Sequence, residues 1–320
     1  MVEVLGTAYV PVAIDCIYYE FSTDEHGAFF RKLALEALLN PVNDDGGRSL
    51  QGHYVASASG RLLAAQNVRG KAALLDLLER GRVAFAALDA REAAPPLDER
   101  APRDRRWARR LPEGGLALNV YARIAGFDEA KQTSREPYQL DCMRTNRERT
   151  GFDHLWIRAD ELEGLLPPGL EAGARWRAPA RLARRLARFH LVDTVRGEPP
   201  HYEAGHVKRA TIACTAERVE AAFVTVRLEG EFELDASKDP QYPRGFKGTL
   251  AGRLIYDRTV SRFACFDLYV EGDAHGDGKY IPGAPQGGFR LAIGFEIPPS
   301  PFATEIPPQA MREPDRYWNP

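Results

Sequence analysis

The sequence has few cysteines and no long apolar run. Four cysteines occur among 320 residues, at positions 16, 142, 214 and 265, which is too few for a disulfide scaffold. No Cys-x-x-Cys pair is present, so the usual dithiol redox motif is missing. No segment reaches the roughly 18 consecutive apolar residues that a membrane-spanning helix needs, so we expect no membrane association.

An excess of charge of one sign is also lacking. The chain has 43 basic and 45 acidic residues, a formal net charge of −2. This balance gives no reason to expect a polyanion as partner, and it makes nucleic acid an unfavoured one. The first residues carry Glu3 and no basic residue before the apolar stretch, unlike a secretory signal. We therefore expect a cytoplasmic protein, although a leader removed beforehand would leave the same pattern.

Common catalytic motifs are absent as well. The sequence contains no GxSxG, HExxH or P-loop motif, and no GxGxxG between a strand and a helix. Their absence removes the commonest hydrolase, zinc-protease and nucleotide-enzyme interpretations, though not every variant. The composition itself, with 44% apolar and 28% charged residues, is that of a globular protein, and the length fits two domains or one large one.

The first 88 residues combine strand and helix patterns. Residues 9–21 are rich in Val, Ile, Tyr and Phe and predict a strand. Ser22 and Glu25 have the spacing of a capping box, which predicts that a helix begins there. Residues 51–65 predict a hairpin, and a second helix follows it.

This order of elements resembles the thioredoxin-like fold. Residues 51–55 (QGHYV) and 59–63 (SGRLL) are similar to the late hairpin of such domains. The resemblance implies a thioredoxin-like α/β domain over residues 1–88. Thioredoxins place Cys-x-x-Cys at the start of the helix that follows the first central strand, whereas residues 22–26 (STDEH) stand there in this sequence. Dithiol redox chemistry at the usual position is therefore excluded.

Residues 89–113 have the composition of a linker. They are rich in proline and charge and poor in large apolar side chains. Trp107 lies among five arginines between positions 103 and 110, a mixture that can contact nucleic acid. We favour the simpler interpretation, a solvated linker whose Trp packs on a neighbouring domain.

Residues 114–320 are dominated by strand patterns. Alternating apolar positions in residues 219–235 predict a long antiparallel strand, preceded by a turn at residues 216–218. Together with similar patterns, this predicts an antiparallel β-barrel or sandwich, and hence an α+β protein. Residues 179–188 predict a helix whose arginines form a solvated face. The tail after Pro298 is expected to lie extended over the surface.

A second resemblance concerns the whole chain. Residues 187–200 (ARFHLVDTVRGEPP) and 252–257 (GRLIYD) are similar to phrases in uncharacterised bacterial proteins that join a degenerate thioredoxin-like region to a β-rich domain. The resemblance implies a two-domain architecture, and with the composition it predicts a domain over 1–88, a linker over 89–113 and a β domain over 114–320. It implies no mechanism.

The densest polar stretch lies between His190 and His206, and it holds three of the seven histidines. Imidazole and carboxylate groups are common ligands of zinc, copper and non-haem iron. Phe189, Leu191 and Val192 suggest that His190 enters a strand. The alternative is a structural role, in which these polar groups brace a crossing between helix and sheet. The candidate ligands of a divalent transition metal are His190, His201, His206, Asp193 and Glu198.

Two functional hypotheses follow, and the motifs do not decide whether the chain is an enzyme. The first is a non-redox binding or accessory protein whose partner is a small ligand or another protein. The second is a metal-dependent enzyme, for example an oxidoreductase, with its site at the His/carboxylate stretch.

Overall fold

The computed structural model describes residues 2–12, 14, 16–41, 49–68, 70–89, 109–125, 151–195, 200–276, 288–299 and 306–320. The chain divides into two compact units, residues 1–108 (unit 1) and 109–320 (unit 2). Most of the predicted linker, residues 90–108, lies outside the described residues. None of the helices described is long and apolar enough to cross a membrane.

The described part of unit 1 consists of helices and one small hairpin. The hairpin strands pair in an antiparallel manner, and Gly60, at φ +78°, takes the left-handed conformation that its turn requires. Ala64 of the hairpin and Leu77 of the following helix are buried in the same cluster. In chain order the elements are α1 (Val2–Ala8), α2 (Cys16–Phe21), α3 (Glu25–Ala37), β1 (His53–Ala56), β2 (Leu62–Gln66) and α4 (Lys71–Ala86).

The strand predicted for residues 9–21 is wrong, because Cys16–Phe21 is a helix. Packing of Tyr19 against Phe30 of α3 overrides the local preference for a strand. The predicted cap is also displaced. Asp24 caps α3 by accepting a hydrogen bond of 2.8 Å from the Gly27 nitrogen, whereas Ser22 does not. The hairpin and α4 are confirmed, but nothing in the described part of unit 1 confirms a thioredoxin-like fold.

Unit 2 is built on one eight-stranded antiparallel sheet with the order β4-β3-β10-β9-β8-β7-β6-β5. The predicted mixed architecture with an antiparallel sheet is confirmed, but the sheet is not closed into a barrel. Its elements are β3 (Leu116–Ala125), β4 (Gly151–Ile157), α5 (Ala159–Leu165), β5 (Arg175–Arg177), α6 (Ala180–His190), β6 (Val207–Val219), β7 (Phe223–Ala236), β8 (Arg244–Asp257), β9 (Arg262–Gly276), β10 (Phe289–Glu296) and α7 (Pro314–Trp318).

The central strands show the alternation that the sequence predicts. In β7, Val224, Val226 and Leu228 are buried while the residues between them are more exposed. The predicted turn at 216–218 is wrong. Strand β6 continues to Val219, and a shift of register between Ala216 and Arg218 accommodates the interruption.

Helix α6 is buried along its second half, from Arg185 to His190, and the sheet curves around it. It contacts β4, the first strand in the sheet order, and also β6 and β7 near the opposite edge. Because Arg185 and Arg188 are both buried, the predicted solvated arginine face is wrong for these two positions. The helix also extends two residues beyond the predicted end, so that His190 is its last residue and lies in no strand.

The C-terminal residues are packed rather than extended. In the described part of the tail, Met311 and Tyr317 are buried in a cluster with Trp156 and Phe189. The expectation of an extended surface tail is therefore wrong for residues 306–320. Arg109, at the end of the predicted linker, belongs to unit 2, where its Nη2 donates to the Arg312 carbonyl oxygen at 2.9 Å.

Candidate functional site

Of the predicted metal ligands, His190 lies deepest in unit 2. Its side chain is fully buried at the end of α6. Its Nε2 lies 3.2 Å from the Tyr317 hydroxyl, and its Nδ1 lies 3.4 Å from a carboxylate oxygen of Asp153. The structure thus pairs His190 with a phenol and with a carboxylate that is not among the predicted ligands.

His201 approaches the same group, but His206 bonds locally. The ring of His201 packs edge-on against Phe189 at 5.3 Å. Burial lowers the pKa of His201 to about 4, an effect that the nearby Asp153 carboxylate partly opposes and that the positive charges of Arg316 and Arg312 reinforce. His206 is half-buried, and its Nδ1 accepts a hydrogen bond of 3.1 Å from the Glu203 nitrogen.

Asp193 is engaged in its own segment. One of its carboxylate oxygens accepts a hydrogen bond of 3.0 Å from the Val195 nitrogen. Glu198 lies outside the described residues. Within the described ranges, no group of three or more His, Cys, Asp and Glu side chains has an arrangement suited to a metal ion. The metal site therefore stays a prediction, and its only geometric support is the approach of His190 and His201 to Asp153.

The line of Asp153, His190 and Tyr317 has the composition of a proton relay, but it is not accessible. A carboxylate, an imidazole and a phenol in sequence can transfer a proton when a substrate reaches one end. Tyr317, however, is completely buried, and burial raises its pKa far above the usual value despite the opposing charge of Arg185. We therefore assign these groups to the internal bracing of unit 2.

A second buried pair reinforces this bracing. Arg185 of α6 and Glu161 of α5 form a two-pronged ion pair in which both side chains are fully buried. Burial alone would raise the pKa of Glu161, but the hydrogen bonds and charge of Arg185 outweigh that effect, so the pKa lies below its usual value. Arg185 also donates to the carbonyl oxygen of Trp156 at 3.1 Å. The pair thereby ties α5, α6 and β4 together.

Three of the cysteines in the described ranges form no disulfide, and the environment of two of them opposes reactivity. Burial raises the pKa of Cys214 to about 12. Burial also raises the pKa of Cys265, and the neighbouring Asp267 carboxylate adds to the effect. Reactive cysteines usually have a lowered pKa. Cys16 forms no disulfide either, and Cys142 lies outside the described residues.

An open recess lies where β8 begins and β9 ends, and we call it the Arg244 recess. Together with the open solvent at its mouth, it measures about 320 Å³. Its apolar lining includes Leu191, Phe246, Phe289 and Leu291, and its polar lining consists of Asp193, Tyr202, Arg244 and His275. Of the polar residues, His275 is exposed and the other three are buried.

Arg244 organises one wall of this recess. Its Nη2 donates to the carbonyl oxygens of His201 at 2.9 Å and Pro200 at 3.2 Å. Its guanidinium carbon lies 4.8 Å from the centre of the Tyr202 ring, a cation–π distance. The side chain therefore holds residues 200–202 against the start of β8.

The two remaining nitrogens of Arg244 differ in whether they have a hydrogen-bond partner. Nη1 donates to the Tyr242 carbonyl oxygen at 2.8 Å and lies 3.5 Å from a carboxylate oxygen of Asp239. Nε is buried and has no hydrogen-bond partner. Arg244 is only 5% exposed, so this donor is removed from bulk water without compensation.

Sequence reasoning missed the Arg244 recess because its residues lie far apart in the chain. One signal was available: Arg244 precedes Phe246 by two residues and so shares its inward face in β8. An arginine on the inward side of a strand is unusual and marks a position that needs polar partners. The partners themselves, at 200–202, have no such signal.

No protein-family model, curated protein or solved structure matches the chain. The two resemblances drawn from the sequence therefore stay predictions.

Proposed function

We propose that the protein is a non-redox binding protein and that unit 2 takes a small organic ligand in the Arg244 recess. The observation that carries the proposal is the lining itself, in which buried Arg244, Tyr202 and Asp193 meet an apolar surface. Small-molecule sites combine a mainly apolar lining with a few polar groups that orient the ligand. In the same proposal, unit 1 is a degenerate thioredoxin-like domain, supported by its β1–β2 hairpin followed by α4.

A fragment screen by NMR on the full-length, isotope-labelled chain tests this function. We expect some small aromatic or aliphatic fragments to shift the amide signals of Tyr202, Phe246 and Phe289. Ala274 also lines the recess and is 5% exposed, so Ala274→Leu should fill the space and abolish the shifts.

Ala251→Leu is the matched control, because Ala251 is an exposed residue of β8 and adds the same side chain outside the recess. A thermal melt of both variants distinguishes a filled recess from an overpacked core. If no fragment shifts the recess signals of the native chain, the binding function is wrong.

The alternative is a metal-dependent enzyme with its site at the His/carboxylate stretch. The observation that favours it is the approach of His190 and His201 to Asp153. It requires a metal bound in near-stoichiometric amount after gentle purification, which elemental analysis measures. A metal that His201→Ala removes while the fold persists would replace the binding proposal.

A further inference from the structure

We infer that the ligand of the Arg244 recess carries a carboxylate group, and that this group pairs with Arg244. The inference rests on the binding function proposed above and names the chemical class of its ligand. The starting point is the unused donor of Arg244. Both Nη nitrogens are engaged with oxygens of the protein, whereas the buried Nε has no partner.

A buried donor without a partner favours a ligand that brings an acceptor. Leaving an N–H of a charged group unpaired costs more than leaving a neutral one, and a carboxylate oxygen makes the stronger, charge-assisted bond. Arg244 lines the recess and is 95% buried, so its guanidinium is a poorly solvated cation in the wall of the recess. Low solvation strengthens the attraction of an anion.

The carboxylates of the protein near the recess are already engaged, which disfavours an amine ligand. Asp239 accepts hydrogen bonds from the nitrogens of Gln241 at 2.9 Å and Tyr242 at 3.0 Å, and these bonds lower its pKa. Asp193 accepts from Val195. The 3.5 Å separation between Asp239 and Arg244 is long for a hydrogen bond, so Asp239 compensates the guanidinium only in part.

The rest of the lining indicates that the remainder of the ligand is apolar. Phe246 and Leu291 are almost completely buried, and Phe289 is half-buried beside them. Such a surface favours an apolar group through the area that it removes from water. The expected class is therefore a small organic acid with an apolar body.

Three probes of nearly equal size test the class: phenylacetate, phenylacetamide and phenethylamine. Titration of the full-length chain, followed by NMR and calorimetry, should show that phenylacetate binds at least about tenfold more tightly than the amide and that the amine does not bind. Arg244→Met should abolish the preference for the acid. Because Arg244 also holds residues 200–202, that variant needs a thermal melt and a second variant beside it.

Asp239→Asn is the second variant, and we expect it to increase the affinity for phenylacetate. The substitution removes a negative charge beside Arg244 but keeps an oxygen that can accept from Gln241 and Tyr242. Phenylacetate should then bind about three- to tenfold more tightly, since the guanidinium loses a competing charge. Asp257→Asn is the matched control: Asp257 accepts from the Thr259 nitrogen in a similar turn, at the opposite end of β8, about 40 Å away along the strand.

The outcomes separate the inference from the function on which it rests. If phenylacetamide or phenethylamine binds in the recess as tightly as phenylacetate, the carboxylate inference is overturned and the binding function stands. Weaker binding of phenylacetate to Asp239→Asn, or an equal gain in Asp257→Asn, also overturns the inference. If neither these probes nor any fragment binds in the recess, both fail.

Discussion

The hydroxyl group of Tyr317 accepts a hydrogen bond of 3.1 Å from the backbone nitrogen of Trp156. Trp156 belongs to β4, an edge strand, and edge strands carry backbone groups that no neighbouring strand satisfies. Arg185 of α6 covers the carbonyl oxygen of the same residue. Two side chains from different helices therefore take the place of a missing strand and prevent β4 from pairing with another chain at this position.

Tyr317→Phe should destabilise unit 2. The substitution keeps the ring in its cluster but leaves the Trp156 nitrogen without its acceptor and removes the contact with His190. An unsatisfied buried donor costs about 1–3 kcal/mol, and we expect a loss of that size in the free energy of unfolding. Urea denaturation measures the loss, and hydrogen exchange of the Trp156 amide should become faster.

Tyr269→Phe provides the control for this change. Tyr269 is 48% exposed, and its hydroxyl donates to a carboxylate oxygen of Glu271 on the sheet surface. Removing that hydroxyl should change the free energy of unfolding by less than about 0.5 kcal/mol. Equal losses in the two variants would show that Tyr317 does not close the edge.

Glu161→Gln should be more damaging, because it leaves a buried charge without its partner. Arg185 and Glu161 are both fully buried, and breaking such a pair costs about 3–5 kcal/mol. Asp160→Asn is the matched control: Asp160 pairs with Arg181 in the same region, but both side chains are substantially exposed. Such a surface pair contributes about 1 kcal/mol or less. Denaturation curves that give the same loss for both variants would contradict the buried-pair account.

The same pair predicts a dependence on pH. The pKa of Glu161 is lower in the folded chain than its usual value, so the pair stabilises the fold fully above the unfolded pKa of about 4.3. That contribution is lost as the pH falls below this value and passes through the folded pKa. The native chain should therefore lose stability in this acidic range more steeply than Glu161→Gln does, as urea denaturation at several pH values will show.

The long strands of unit 2 could be predicted because their signal is local. Alternation of Val224, Val226 and Leu228 with polar neighbours specifies one buried face, and the structure confirms it. The spacing of Leu182 and Leu186 also made the helix predictable, except for its last two residues. In each case a few neighbouring residues contain the information.

The environment of α6 could not be predicted, because its partners are distant in the chain. Arginines that alternate with leucines in a helix normally indicate a solvated face. Arg185 instead donates, within the core, to Glu161 and to a carbonyl oxygen of the edge strand β4. The closure of β4 depends on Tyr317, which lies 161 positions away from Trp156. Such contacts exist only after the sheet has curved around the helix, so no local pattern specifies them.

Gly151→Ala tests the packing of β4 against the segment that follows α6. A methyl group at Gly151 would lie 2.7 Å from the carbonyl carbon of Thr194, closer than real contacts allow. We expect a loss of about 1–3 kcal/mol in the free energy of unfolding from the resulting displacement. Gly294→Ala, in β10, is the control, since nothing lies within 4 Å of the added methyl group. A Gly151→Ala variant as stable as Gly294→Ala would mean that the two segments are not packed as described.

The half-buried ring of His201 should make stability fall as the pH is lowered from about 6.5 to about 4. Burial lowers its pKa to about 4 in the folded chain, whereas an unfolded histidine has a pKa of about 6.5. The unfolded chain therefore binds this proton first, and acidification through that interval favours unfolding by up to about 3 kcal/mol.

His201→Gln removes the titrating group and should flatten the dependence of stability on pH between 6.5 and 4. Urea denaturation of both chains at pH 7, 6 and 5 measures the difference, and an NMR titration of the imidazole of His201 measures its pKa directly. Below pH 6.5, the free energy of unfolding should depend on pH more steeply in the native chain. The difference in slope should correspond to the uptake of up to one additional proton on unfolding. If the two slopes are equal, or if the ring of His201 titrates near 6.5 in the folded chain, His201 is solvated and the packing of residues 200–202 against α6 is wrong.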